Sequence, residues 1–273
     1  MSQVKGASRV YGRDWETFLI PYEQAVEELK VKLRSLRSEL KRKEEYTPIE
    51  FVTGRVKKVS SIIEKAKFLN IPLEEVEKVP DIAGLRIMCQ FVEDMHRVAE
   101  HLRNRKDMVV VEERDYVTNR KPSGYRSYHF IVSYPVQTAD GELELLAEIQ
   151  IRTLAMNFWA TIEHSLNYKY RGNIPEKVRQ RLVAAAEASF HLDNEMSGIR
   201  EEILEAQILF ETKSNTVEDI LRNLEKLIVS GHVEMAAEFH QRFHDTQSED
   251  IGKLQRLAEE IKDKLNQLHD GTS

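Results

Sequence analysis

The residues best suited to chemistry are two carboxylates and the cations near them. Asp81 stands in Val79-Pro-Asp-Ile-Ala-Gly-Leu-Arg86, just before an apolar run from Leu85 to Phe91. Glu148 stands where Leu145, Ala147, Ile149 and Ile151 alternate with Glu144, Glu148, Gln150 and Arg152. A period of two means a strand with one face on a core and one polar face, so a carboxylate, an amide and a guanidinium would share a site floor. Arg55, Lys57, Arg86, Arg114, Lys121 and Arg126 supply cations, Tyr125 an aromatic ring and His129 an imidazole. Two carboxylates can hold Mg²⁺ between substrate phosphates. Guanidinium groups clamp phosphates or stack on a base, and a tyrosine at a loop–strand junction can stack too. This is equipment for phosphoryl transfer, where positioning and charge neutralisation do most of the work. Structural ion pairs give similar residue sets, so these residues alone leave both a nucleotide-handling enzyme and a charge network open. The chain carries no G-x-x-x-x-G-K-[ST], no G-x-G-x-x-G and no G-x-S-x-G.

Regular elements must hold these groups. The Glu148 strand runs directly into a helix from Thr153 to Tyr170, with Thr153 as N-cap and apolar residues at Leu154, Phe158, Ile162 and Leu166. Upstream, Trp15 to about Glu44 reads as a long helix, whose Tyr22, Val26, Leu29, Leu33, Leu36 and Leu40 form a heptad seam. Beside the seam runs a basic stripe, Lys30, Arg34, Arg37 and Lys41, which is either a solvated face or an anion site against a partner chain. Thr47-Pro-Ile-Glu50 has the form of a helix start, and the spacing predicts a helix from there to about Leu69 carrying Arg55, Lys57, Ser61 and Lys65. Strands are predicted at Leu85–Phe91, Met108–Val117 and Tyr125–Tyr134, with a helix at Glu93–Arg103 and a hairpin turn at Ala139-Asp-Gly141. Cys89 alternates with Ile87 and Phe91 and reads as a packed thiol. From Pro175 the chain reads as helices: one to Thr212, then Asn215–Ser230, Val233–Phe243 and Asp250–Leu268, with joints at Ser230-Gly231 and Thr246-Gln-Ser248. Helices, a small sheet of at least four strands, then helices imply α+β or mixed α/β architecture without regular βαβ alternation.

Composition bounds the rest. The chain has 273 residues, 41% hydrophobic and 32% charged, enough for one large domain or a domain with an appendage. A net charge of −6 argues against a generic polyanion binder, so any nucleotide site depends on local clusters of cations. A single cysteine excludes an internal disulfide and fits a reducing compartment. No secretory h-region or long apolar run is present, which makes a cytoplasmic protein, bound to neither membrane nor DNA, the simplest expectation.

Four segments occur in order: Asp81-Ile-Ala-Gly-Leu-Arg86, Ser123-Gly-Tyr-Arg-Ser-Tyr-His129, Glu148-Ile-Gln-Ile-Arg-Thr153 and Phe158-Trp-Ala-Thr-Ile-Glu-His164. They resemble the synthetase motifs of the RelA/SpoT family over about Trp15 to Thr212. The resemblance implies transfer of pyrophosphate from ATP to the 3′-hydroxyl of GDP or GTP, giving ppGpp or pppGpp in the stringent response. It also implies a nucleotidyltransferase-related fold, a mixed sheet flanked by helices. The hydrolase and regulatory domains of the family's long forms are not visible, so the chain looks like a small alarmone synthetase: residues 1–215 as synthetase, 216–273 as a helical extension without an assigned role. By resemblance, Asp81 and Glu148 are Mg²⁺ ligands, and Glu148 is also the base for the 3′-hydroxyl. Arg55 and Arg86 sandwich adenine, and Lys57, Ser61 and Lys65 lie near the ATP phosphates. Tyr125 stacks on guanine, while Lys121, His129, Gln150 and Asn157 belong to the acceptor side. Trp159 and His164 are read as core packing.

The resemblance is greatest to the allosterically regulated, RelQ-type subgroup. It implies a homotetramer activated by pppGpp in a cleft between subunits, with Lys30, Arg34, Arg37, Glu50, Phe51 and Thr53 as the effector residues and single-stranded RNA as a further candidate partner. A non-catalytic nucleotide- or RNA-binding regulator on the same scaffold is the competing reading, and a nucleotidyltransferase that releases pyrophosphate is the third. His240-Gln-Arg-Phe-His244 resembles H-E-x-x-H, but Gln241 replaces the glutamate and the default is exposed helix histidines.

Overall fold

A computed structural model describes residues 9–10, 13–169, 174–246 and 251–270. Tyr170 of the expected helix and Gln247-Ser248 of the expected joint lie outside the described residues. The chain divides into two compact units, Met1–Ser197 and Gly198–Ser273.

The first unit is built on one mixed sheet. A short ribbon, β1 (Arg9–Val10) and β2 (Arg13–Asp14), leads into helix α1 (Trp15–Arg42). Asp14 caps α1, accepting from the Thr17 amide. Then follow β3 (Phe51–Val56), α2 (Val59–Phe68), a 3₁₀ segment (Leu73–Lys78), β4 (Ala83–Cys89), α3 (Val92–Arg103) and β5 (Val109–Asp115). The hairpin strands β6 (Tyr128–Thr138) and β7 (Gly141–Thr153) run into α4 (Leu154–Lys169). The sheet order is β3-β4-β7-β6-β5, with β4 and β7 parallel and the other neighbours antiparallel. This is the expected mixed α/β architecture, with five strands in the main sheet.

The predicted helix from Thr47 to Leu69 is corrected. Phe51–Val56 is an edge strand paired with β4, and the helix begins only at Val59. Thr47 Oγ1 contacts the Ile49 amide in a tight turn rather than capping a helix. Six residues of ladder pairing and burial of Val52 outweigh a local capping signal. A Cβ on Gly54 would lie 2.9 Å from Val26, so the missing side chain is what lets β3 lie close against α1.

The α1 seam serves this unit. Tyr22, Val26, Leu29 and Leu33 are buried against the sheet with Val52, Leu85, Ile87, Ile149 and Ile151. Cys89 is fully buried, and burial pushes its thiol far up, which makes it inert. On α4 the expected apolar stripe faces out: Leu154, Phe158 and Ile162 are 48%, 67% and 42% exposed. Met156, Trp159 and Ala160 are the buried residues instead, and Trp159 donates to the Leu182 carbonyl. His164 is exposed, against the expectation of core packing.

The helices predicted at 175–212 and 215–230 are one, α5 (Glu176–Val229). Neither Gly nor Pro interrupts its sequence between residues 199 and 229. It ends at Gly231, φ +84°, where the His232 amide reaches the Leu227 carbonyl in a Schellman arrangement. The second unit has its own core: Ile220, Leu224 and Leu227 of α5 pack with Phe239 and Phe243 of α6 (Val233–Thr246) and with Leu254, Leu257 and Ile261 of α7 (Ile251–Asp270). His240 and His244 are exposed there, as expected. Among the described residues, no helix is long and apolar enough to cross a membrane.

Candidate active site

Register places polar side chains in a row across one face of the sheet. Thr53 pairs with Arg86, Arg86 with Gln150, Gln150 with His129 and His129 with Arg114, one residue from each strand. The next row runs from Arg55 through Gly84 to Glu148. Gly84 carries no side chain, and a Cβ there would meet only the Arg55 carbonyl oxygen at 3.6 Å. That row therefore has open space between a cation and a carboxylate. The opposite face carries Leu85, Ile87, Ala147, Ile149 and Ile151, all in the core.

Glu148 is held at both oxygens. His129 Nδ1 lies 2.9 Å from Oε1, and Gln150 Nε2 donates to Oε2 at 2.7 Å. Burial pushes the Glu148 carboxyl up, but the hydrogen bond and charge of His129, then the Gln150 hydrogen bond and the charge of Lys65, bring it down to about 2. Burial holds the His129 imidazole below its usual range despite the neighbouring carboxylate. At neutral pH the pair is thus a carboxylate and a neutral imidazole. His129 Nε2 is 2.7 Å from the Tyr125 hydroxyl, and Arg152 Nη2 donates to that oxygen at 2.6 Å. The guanidinium can only donate, so the tyrosine proton goes to Nε2 and Nδ1–H goes to Glu148.

Asp81 sits at the entry to β4, where Lys57 Nζ reaches Oδ2 at 2.6 Å and Lys65 Nζ lies 3.8 Å from the same oxygen. Lys65 also acts on Glu148 electrostatically, so one ammonium serves both carboxylates. Asp81 Oδ1 is buried without a hydrogen-bond partner. An orphaned hard oxygen beside an ionised carboxylate fits a divalent cation that takes its remaining ligands from water and substrate phosphates. Among the described residues no group of three or more His, Cys, Asp or Glu could hold a metal ion alone. Arg86 is half-buried, and burial, Arg152 and Arg55 all push its guanidinium pKa down. Arg55 is exposed on β3 and Ser61 lies half-buried on α2.

The residues expected on the acceptor side converge around Tyr125. Lys121 Nζ lies 4.4 Å from the Tyr116 ring centre and 5.0 Å from that of Tyr125, and Tyr116 meets the Tyr125 and His129 rings edge-on. Asn157 accepts from Arg152 at 3.5 Å. The loop between β5 and β6 is tied to α5 by Glu187, which pairs with Arg120 and Arg126 at 3.0 Å each. Gly124, φ +87°, lets that loop pass against α5. Two residues here had no role assigned from sequence. Arg152 was visible by its period-two spacing from Gln150. Tyr116 precedes the loop and gave no signal of its own.

The effector candidates line the junction of α1 and β3. Arg34 donates to the Val52 carbonyl at 3.1 Å and Arg37 to the Ile49 carbonyl at 2.9 Å. Lys30 pairs with Glu27 and lies beneath Gly54. Glu50 accepts from Gln90, while Thr53 and Phe51 are exposed, Phe51 at 43%. The cavity beneath the loop, about 330 Å³ and lined by Ser123, Glu163 and Arg179 among others, contains none of the candidate site residues.

Comparison with known proteins identifies the family. Residues 54–173 match the family described as a region found in RelA / SpoT proteins. The GTP pyrophosphokinase YjbM of Bacillus subtilis is 63% identical over 201 residues, 74% of this chain and 95% of the relative. YwaC of the same organism is 38% identical, covering 70% of this chain and 92% of the relative. The crystal structure of small alarmone synthetase 1 from B. subtilis bound to its product pppGpp superposes with a TM-score of 0.67 at 64% identity, over 69% of this chain and 97% of that one. A structure of the same B. subtilis protein holds AMPCPP, with a TM-score of 0.63. The chain belongs to the RelA/SpoT family.

Proposed function

We propose that this chain is an ATP-dependent (p)ppGpp synthetase, a GTP/GDP diphosphokinase. The observation that carries the reading is Glu148, fixed as a carboxylate by donors on both oxygens between the cations of β3, β4 and α2 and the aromatic cluster of Tyr116 and Tyr125. The names of two relatives that this chain covers almost end to end support it.

In this reading the acceptor's 3′-oxygen attacks the β-phosphorus of ATP in line. The bond from Pβ to the oxygen bridging the α- and β-phosphates breaks, and AMP departs with that oxygen. The hydroxyl proton goes to Glu148. A carboxylate held near 2 takes a proton only from an acidified hydroxyl. Mg²⁺ on Asp81 and Glu148 would supply that acidity and neutralise phosphate charge. Arg55 and Arg86 flank the donor base, and Lys57, Ser61 and Lys65 face its phosphates. Arg152 is buried and pinned, whereas Lys121 sits on an exposed loop, so a base that stacks on Tyr125 takes the place of Lys121. His129, Gln150 and Asn157 complete the acceptor side, and Lys121 then turns to the acceptor's phosphates.

The proposal extends to regulation: a cytoplasmic homotetramer activated by pppGpp through Lys30, Arg34, Arg37, Glu50, Phe51 and Thr53. Residues 1–215 form the synthetase, and 216–273 are an extension whose purpose is open. Purified protein with ATP, GDP and Mg²⁺, resolved by anion exchange, tests the reading. AMP with ppGpp is expected. Pyrophosphate release would indicate a nucleotidyltransferase, and bound nucleotide without turnover a regulator.

A further inference from the structure

Arg152 is 4% exposed and, among the described residues, pairs with no carboxylate. A buried charge without a counter-charge is costly unless its donors are met. Here they meet four neutral oxygens: Ser127 Oγ at 3.3 Å, Asn157 Oδ1 at 3.5 Å, Tyr125 Oη at 2.6 Å and Gln150 Oε1 at 2.7 Å. A guanidinium has donors only, so each partner must turn an acceptor toward it. Gln150 is thereby fixed at both ends, its oxygen on Arg152 and its amide hydrogens on Glu148. Asn157, with its oxygen toward the cation, is left to offer its NH₂ group elsewhere. A free asparagine can turn its amide over at little cost, but here the turn would set NH₂ against a guanidinium.

We propose that Arg152 sets the hydrogen-bond polarity of the acceptor subsite and, through Asn157, makes it select a 6-oxo purine over a 6-amino purine. The inference rests on the reading that the acceptor's base stacks on Tyr125. The guanidinium carbon is 5.1 Å from the Tyr125 ring centre, so a base on that ring brings an edge within reach of Asn157. Guanine presents acceptors at O6 and N7, which an NH₂ donor can meet. Adenine shares the N7 acceptor but presents N6–H₂ in place of O6, and an NH₂ donor aimed at that position leaves two donors opposed and unpaired. Arg152 is thus a positioning residue that acts through its neighbours.

The test measures AMP release from ATP with GDP or ADP as acceptor, for the wild type, Arg152→Met and Arg152→Lys. Met keeps most of the unbranched apolar stem and removes the donors. Lys keeps the charge and removes the planar fork. The wild type should favour GDP over ADP in kcat/KM. Arg152→Met should lose about tenfold or more of that preference, while the KM for ATP stays within about twofold. If Arg152→Met shows no cooperative thermal transition, Arg152→Lys decides on the same ratio, with a loss in the same direction. A general structural role would slow both acceptors alike, and an unchanged GDP-to-ADP ratio in the folded variants overturns the inference. Absence of AMP release by the wild type with GDP would instead remove the functional reading, and this inference with it.

Discussion

The floor strand β7 and the basic stripe of α1 both enter the sequence as polar residues at a regular period, yet the fold uses them in opposite ways. On β7, Glu148, Gln150 and Arg152 bond to one another and to His129, Tyr125 and Asn157, so side chains from several elements converge. On α1, Arg34 and Arg37 end on main-chain carbonyls of the β3 region, and Lys30 pairs with its own helix. In the proposed reading the first network orients reacting groups. The second anchors a strand and keeps spare N–H donors that an anion could use. Side chains that brace one another form a site, whereas side chains that brace backbone form a scaffold that a ligand can recruit.

The largest effect that would break this contrast is at Glu148. Glu148→Gln keeps the shape and the hydrogen-bonding oxygen but removes the proton acceptor. We expect kcat to fall by about 10³-fold or more while binding of a non-hydrolysable ATP analogue is retained. Steady-state AMP release and a titration of the analogue check both parts. Full turnover in this variant would mean that the converging network is scaffold too.

Much of β7 was legible because a strand with one buried face must alternate. Leu145, Ala147, Ile149 and Ile151 are buried as the pattern requires. The place of Glu148 on the polar face followed from it, and that of Asp81 at the entry to β4 from the apolar run that comes after it. What was not legible came from pairing across the chain. Phe51–Val56 carries a local helix-start signal upstream, and only the partner strand β4 makes it a strand. The row Thr53–Arg86–Gln150–His129–Arg114 exists only once the register is known. Likewise, α4 has a regular apolar stripe, but its buried face is the one with Met156 and Trp159. Periodicity shows that a helix has faces, and packing partners choose which one is inside.

A second buried carboxyl sharpens the lesson of β7. Asp193 on α5 accepts from Thr153, the last residue of that strand, and among the described residues it forms no ion pair. Burial pushes its carboxyl up to about 6, and the nearby Glu93 adds to the rise. A raised carboxyl pKa means stability that is present at low pH and lost as pH rises through the folded value. Going from pH 5 to 7.5 should therefore cost the first unit about 1–1.5 kcal/mol through this group. Asp193→Asn should remove that part of the slope, and denaturant melts of both proteins at the two pH values measure the difference. An identical slope in the variant would show that Asp193 ionises as readily as an exposed aspartate.

Gly124 tests how much the converging site depends on its loop. At φ +87° an alanine is strained, and its Cβ would fall 2.6 Å from that of Ala186. Gly124→Ala should cost about 1–3 kcal/mol of stability. The loop carrying Lys121 should move with it, raising the acceptor's KM while leaving that of ATP unchanged. Equal effects on both substrates would show that the loop serves the whole site rather than the acceptor side.

The smallest expected effect probes the stripe. Arg34→Ala removes one charged donor from the Val52 carbonyl on a partly buried junction, so the direct loss should be about 1 kcal/mol. If the stripe also recruits an anionic effector, the variant should lose the rise in rate and in melting temperature that pppGpp gives the wild type. These two readouts separate scaffold from site. A modest drop in melting temperature with the pppGpp response intact would leave Arg34 as a brace for β3 and nothing more. Loss of the response beyond that drop would mean that the guanidinium serves the backbone and the effector in turn, with its spare N–H groups as the link between α1 and the sheet row that begins at Thr53.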